Sequence, residues 1–190
     1  MSETAVKKND GILKVGLILF AITFVTALLL GVVNYVTEDR IEELKIQATR
    51  DAMQRIVPEA ADFAEETLLD DPGIVTAAYA AQKDGETVAH CLEVQPSGFG
   101  GVLTLIVGVD PSGKVLGVSI TNHSETPGLG ANAENQLFLN QYDGKTGPFS
   151  VVKSGATQEN DIEALTGATV TSKAVTTGVE AAVAYAGRLG

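Results

Sequence analysis

The longest apolar stretch of the chain covers residues 15–37, VGLILFAITFVTALLLGVVNYVT, without one charged side chain. A helix rises 1.5 Å per residue, so roughly 20 such residues cross the roughly 30 Å hydrocarbon core of a bilayer. The run exceeds the roughly 7–15 apolar residues of a cleavable leader, and Asn34-Tyr35-Val36-Thr37 is not a small-x-small cleavage site. The pattern predicts an uncleaved transmembrane helix over residues 15–37. Beyond it the pattern changes. Ile41, Leu44, Ala48, Met53 and Ile56 recur at helical spacing among charged residues. That predicts an amphipathic stalk helix over residues 38–58, which Pro58 ends.

The pattern then shortens to strand length. Residues 74–80, 87–94, 102–109 and 115–122 read as strands, with turn residues at Asp84-Gly85 and at Asp110-Pro111-Ser112-Gly113. Residues 59–72 are acidic and read as a surface segment. Residues 137–142 read as a short helix or turn, and residues 149–153 as a short strand. Over residues 171–186 the helical period returns, with Val175, Val179, Ala182 and Val183 on one face. The expected fold is α+β: one N-terminal transmembrane helix, then a domain over residues 59–190 with a mainly antiparallel sheet and a C-terminal helix packed on it.

Composition narrows the chemistry. With 190 residues there is room for one ordinary domain and an appendage. Lys and Arg total 13 against 24 Asp and Glu, a net charge of −11, which argues against nucleic acid as a partner. One cysteine, Cys91, and two histidines exclude a disulfide framework and any cysteine-held cluster within this chain. Cys91 reads as a buried free thiol. Redox chemistry here needs a bound organic cofactor or a partner. Lys7, Lys8 and Lys14 precede the apolar span, whereas Glu38 and Asp39 follow it. This asymmetry predicts that residues 1–14 are cytoplasmic and that the domain lies outside the cytoplasm.

Three loops carry candidate chemistry. Gly98-Phe99-Gly100-Gly101 leads into the strongest strand, and its plain reading puts Phe99 in the core. His123-Ser124-Glu125-Thr126-Pro127-Gly128-Leu129-Gly130 follows the next strand. It reads either as a simple turn with solvated His123 and Glu125, or as a surface that admits a flat aromatic ligand where Gly128 and Gly130 leave room. Leu165-Thr166-Gly167-Ala168-Thr169-Val170-Thr171-Ser172 opens the last helix. It is either a plain helix cap or an anion site at the positive end of the helix dipole, with Thr171 and Ser172 as N-cap candidates and Lys173 adding charge.

The anchor, G-F-G-G before a strand ending V-G-V-D, then H-S-E-T-P-G-L-G and T-G-A-T-V-T-S in this order, resembles RnfG, the G component of the Rnf electron-transport complex. The C component of the sodium-pumping NADH:quinone oxidoreductase shares the flavin-binding domain but is usually longer. The resemblance covers nearly the whole chain. It implies that a flavin transferase acts on D/E-x-x-[ST]-G-A-T, here Glu163-Ala164-Leu165-Thr166-Gly167-Ala168-Thr169, with Glu163 where Asp is more usual. FMN would be esterified through its phosphate to Thr169. Thr166, Gly167, Ala168, Thr171, Ser172 and Lys173 would surround the phosphate. His123, Glu125, Thr126, Pro127, Gly128, Leu129 and Gly130 would lie along the ring system. Ser154-Gly155-Ala156-Thr157 is a second copy, without the downstream Thr-Ser and helix, so Thr157 is the control.

The implied role is an electron carrier with no substrate site of its own, in an inner-membrane ferredoxin:NAD⁺ oxidoreductase that moves Na⁺ or H⁺. Its partners would be the other membrane and redox subunits, the transferase and the lipid bilayer. Two other readings stand beside it: the equivalent flavin subunit of a quinone-reducing Na⁺ pump, and a flavin-free, membrane-anchored assembly subunit.

Overall fold

The computed structural model describes residues 3–189, with side chains from Gly11 onward. Helix α1 spans Glu3–Ile56. The chain divides into two compact units between Ile46 and Gln47. In the first, the described part of α1 has one apolar stretch long enough for a single membrane crossing. Its large side chains are solvent-facing throughout, from Ile18 at 49% to Tyr35 at 81% exposed. Water does not tolerate so continuous an apolar surface. Thr23, Thr26 and Thr37 return their hydroxyls to backbone carbonyls one turn earlier, so none leaves a free hydroxyl on this apolar surface.

The boundary at Gln47 falls inside the segment expected to be a stalk. The reason is packing: Ala52, Met53 and Val57 are buried with Ala81, Ala89, Cys91 and Ile106. Ile41 and Leu44, which share the same helical period, remain half exposed. The last turns of α1 therefore belong to the globular unit and cover one face of its sheet.

That sheet is an antiparallel meander in the order β1-β2-β3-β4-β5: Asp62–Glu66, Val75–Lys83, Glu86–Val94, Thr104–Val109 and Val115–Asn122. β1 corrects the expectation of an acidic surface segment over residues 59–72. Its sequence DFAEE carries its charges on an edge strand, where charge discourages pairing with other chains. β4 shows why the central strands read clearly. Leu105, Val107 and Val109 join one core, while Ile106 joins the other, the two-residue alternation of a strand buried on both faces. Gly108 lies beneath Ile56, leaving no space for a Cβ.

The larger core lies under helix α3, Thr169–Ala186. Val175, Val179 and Ala182 are fully buried against Leu92, Val94 and Leu105. Gly178 lets the helix approach closely; a Cβ there would stand 2.6 Å from Leu105 Cδ1. Between β5 and α3 lie the short helix α2, Gln136–Leu139, and strands β6, Ser150–Val152, and β7, Asp161–Glu163. These last two pair in parallel, an exception to the antiparallel plan that the sequence pattern did not predict. Cys91 is buried as expected, and burial pushes its thiol up to about 12, which leaves it protonated and unreactive.

Candidate functional site

The three candidate loops converge at the start of α3. The first and second meet because β4 and β5 are paired neighbours, and the third follows β7 directly. Glu125 ties them together. The residue is 5% exposed. Oε1 accepts the amides of Phe99 at 2.8 Å and Gly100 at 3.0 Å, and Oε2 accepts the Thr171 hydroxyl at 2.8 Å. The surrounding glycines are spatial necessities. A Cβ on Gly98 or Gly130 would strike the Glu125 carboxylate, and one on Gly100 the backbone of Ser124.

A cavity of about 350 Å³ opens beside this junction. Phe99, Leu129 and Val170 give it apolar walls; Glu125, Thr126, Gly130, Gly167, Ala168, Thr169 and Thr171 complete the lining. The wall residues are unusually open for their type, with Phe99 74% and Val170 54% exposed. Phe99 is thus a correction: flanking glycines and the pinned backbone turn it outward, not into the core.

The helix start also differs from expectation. α3 begins at Thr169 with Ala168 in the cap position and no side-chain cap. Thr171 and Ser172 are not N-caps. Thr171 bonds Glu125, while Ser172 donates to the Ala168 carbonyl and accepts the Leu165 amide, both at 3.0 Å. The first backbone bond across the start runs from the Ser172 amide to the Ala168 carbonyl at 2.9 Å. The amides of Thr169, Val170 and Thr171 therefore remain unspent at the positive end of an 18-residue helix. Gly167, at φ +76°, makes the turn that brings the chain into this position.

The hydroxyls sort themselves. Those of Thr171, Ser172 and Thr176 are buried and bonded. Among the described residues those of Thr126, Thr166 and Thr169 are uncommitted; Thr126 and Thr169 line the cavity, and of these two only Thr169 stands at the start of α3. Thr166 lines a neighbouring groove with Glu163 and Leu137.

Not every expected site residue reaches the cavity. His123 faces away: Nδ1 accepts the Glu125 amide at 3.1 Å, which fixes the tautomer, and Nε2 meets Glu134 at 3.1 Å. It positions Glu125 from behind. Pro127 and Gly128 are exposed on the loop and Lys173 on the helix, and none of them lines the cavity. Phe99 and Val170 do line it, although the sequence did not single them out as ligand contacts. The only sequence signal for Phe99 was its position between glycines.

An arrangement of unspent helix amides, a free hydroxyl and apolar walls suits a ligand with a phosphate at one end and a flat ring at the other. The second copy of the tetrapeptide has none of these features. Thr157 is exposed, and the amides of Thr157 and Gln158 are already taken by Asp161 Oδ2 at 3.0 and 2.9 Å. The amides of Gln158 and Thr157, with the Thr157 hydroxyl, hold the Asp161 carboxyl below the usual carboxylate range.

Comparison with known proteins agrees with this geometry. Residues 98–184 match the FMN-binding domain family, and residues 1–56 match the RnfG N-terminal region. The chain is 37% identical over 187 residues to the G component of the Na(+)-translocating ferredoxin:NAD(+) oxidoreductase complex of Acetobacterium woodii, covering 90% of each. It is 39% identical over 173 residues to the G component of the proton-translocating complex of Clostridium ljungdahlii, covering 87% of this chain and 90% of that one. Among solved structures it resembles the C component of the Na(+)-translocating NADH-quinone reductase of Parabacteroides distasonis. There the TM-score is 0.50 at 25% identity, over 60% of this chain and 62% of that one. NqrC of Shewanella oneidensis shares the fold, with a TM-score of 0.51 at 19% identity, over 70% of this chain and 69% of that one.

Proposed function

The chain belongs to the RnfG family of ion-translocating oxidoreductase components, and from that premise we propose that it carries FMN joined through its phosphate to Thr169. As an RnfG with an FMN-binding domain, it is an electron-transfer subunit of an ion-translocating ferredoxin:NAD⁺ oxidoreductase. The observation that carries the linkage is the Thr169 hydroxyl, uncommitted and facing the cavity at the uncapped start of α3. FMN, when bound, supplies the electron-accepting and electron-donating chemistry.

Everything else falls to this chain's residues. The amides of Thr169, Val170 and Thr171 hold the phosphate with fixed dipoles, at no cost in reorganisation. Phe99, Leu129 and Val170 give the ring a low-polarity surface, and Gly130 and Gly167 permit close approach. Glu163, exposed at the end of β7, is the acid that the flavin transferase reads. Covalent attachment keeps the cofactor in place outside the cytoplasm, where FMN is not resupplied. The lysine asymmetry around the membrane span supports that orientation.

The test is the intact mass of the chain produced with and without a flavin transferase. We expect a gain equal to FMN less one water only with the transferase. No gain with a transferase shown active on another substrate refutes the linkage.

A further inference from the structure

Glu125 is the one buried carboxylate in the wall of the FMN cavity, and three features set it apart. Its three contacts are with two amides and a hydroxyl, all groups that can donate, a set that suits an ionised carboxylate. No Lys, Arg or His forms an ion pair with it among the described residues; the neighbouring His123 turns its Nε2 to Glu134 instead. Its contacts join segments far apart in the chain: the loop at Phe99–Gly100, its own loop, and the first turn of α3. Glycines at 98, 100 and 130 leave just the space that this carboxylate and its loop occupy.

Resting on the FMN reading above, we propose that Glu125 is a positioning residue with a second, electrostatic effect. It clips the Gly98–Gly101 loop to α3 so that Phe99 stands as a wall of the cofactor cavity, and its uncompensated charge lowers the reduction potential of the bound flavin. The clip holds the backbone amide of Phe99, whose side chain is 74% exposed, at the edge of the cavity. The charge effect follows from Coulomb's law. Reduction adds electron density to the ring, and a fixed negative charge at the wall opposes it where little water intervenes. The dipoles of the Phe99 and Gly100 amides stabilise Glu125 itself but leave its net charge in place.

The test uses the full-length, FMN-loaded chain and two variants. Glu125→Gln keeps the shape and one amide-accepting oxygen but removes the charge. We expect a more positive midpoint potential in a spectroelectrochemical titration, with little change in hydrogen exchange at the Phe99 and Gly100 amides, because both bond the one oxygen that Gln retains. A folded, FMN-loaded Glu125→Gln with an unchanged or more negative potential overturns the charge effect, while the clip is tested in a second variant. Thr171→Val keeps the charge and removes one leg of the clip. It is expected to speed exchange at the same two amides without raising the potential, and it carries the test should Glu125→Gln fail to fold. A Thr171→Val protein with full protection of those amides, or with a raised potential, contradicts the proposal. Exchange can also be read on flavin-free chain, so loss of the FMN reading and loss of the clip give different results.

Discussion

The chain carries Ser/Thr-Gly-Ala-Thr twice, at residues 154–157 and 166–169, and the two copies turn alike but end in opposite electrostatic settings. Gly155 at φ +72° and Gly167 at φ +76° make nearly the same turn. After the first, the freed amides of Thr157 and Gln158 close on Asp161, an anion supplied by the chain itself. After the second, the chain enters an 18-residue helix whose first amides meet no side-chain cap, beside a cavity of about 350 Å³. The four shared residues supply a turn and a hydroxyl. The downstream residues decide whether a foreign phosphate finds unspent donors or donors already satisfied.

The sharpest way to break this comparison is to exchange the two threonines for alanine. We expect Thr169→Ala to abolish in-gel flavin fluorescence under denaturing conditions and Thr157→Ala to leave it intact. The reverse pattern would mean that helix amides are not what selects the site.

Removing the internal anion comes next. Asp161→Ala strips two amides of a charged acceptor and is expected to lower the midpoint of urea denaturation. It should not create flavin attachment at Thr157, because no helix follows that copy. Alanine at either glycine places a side chain in the left-handed region at a cost of about 1–2 kcal/mol. Only Gly167→Ala also presses on Leu129, whose Cδ2 would lie 3.1 Å from the new Cβ. Flavin attachment should therefore slow in Gly167→Ala and proceed normally in Gly155→Ala, as followed by intact mass over time.

The smallest effect is on acid stability. The Asp161 carboxyl is held below its usual range by the amides of Gln158 and Thr157. A lowered carboxylate contributes stability that is complete above the unfolded-state value and is lost as pH falls through the folded-state value. Thermal melts between neutral and acidic pH should show a steeper loss for the native chain than for Asp161→Asn.

Much of this was legible from the chain. The charge-free span, the short apolar runs of β4 and β5, and the buried stripe of Val175, Val179 and Ala182 are local patterns that read directly. β1 was not legible, because Asp62, Glu65 and Glu66 mask a strand that forms only by pairing with β2. β7 is short and pairs in parallel with β6, a contact that no period announces. At the site, Thr171 and Ser172 have the residue types of helix caps, and only burial shows that they face inward. The clip at Glu125 was hidden most deeply. Its partners lie 26 and 46 residues away, so its burial depends on how three loops meet.

One proteolytic fragment tests the central claim most directly. Lys153 and Lys173 bracket a single tryptic peptide, residues 154–173, that contains both copies of the motif. Fragmentation of this peptide from chain matured with a flavin transferase should place the mass of FMN less one water on Thr169, with Thr157 unmodified. The same mass on Thr157, or an unmodified peptide from a flavin-bearing chain, would contradict the account.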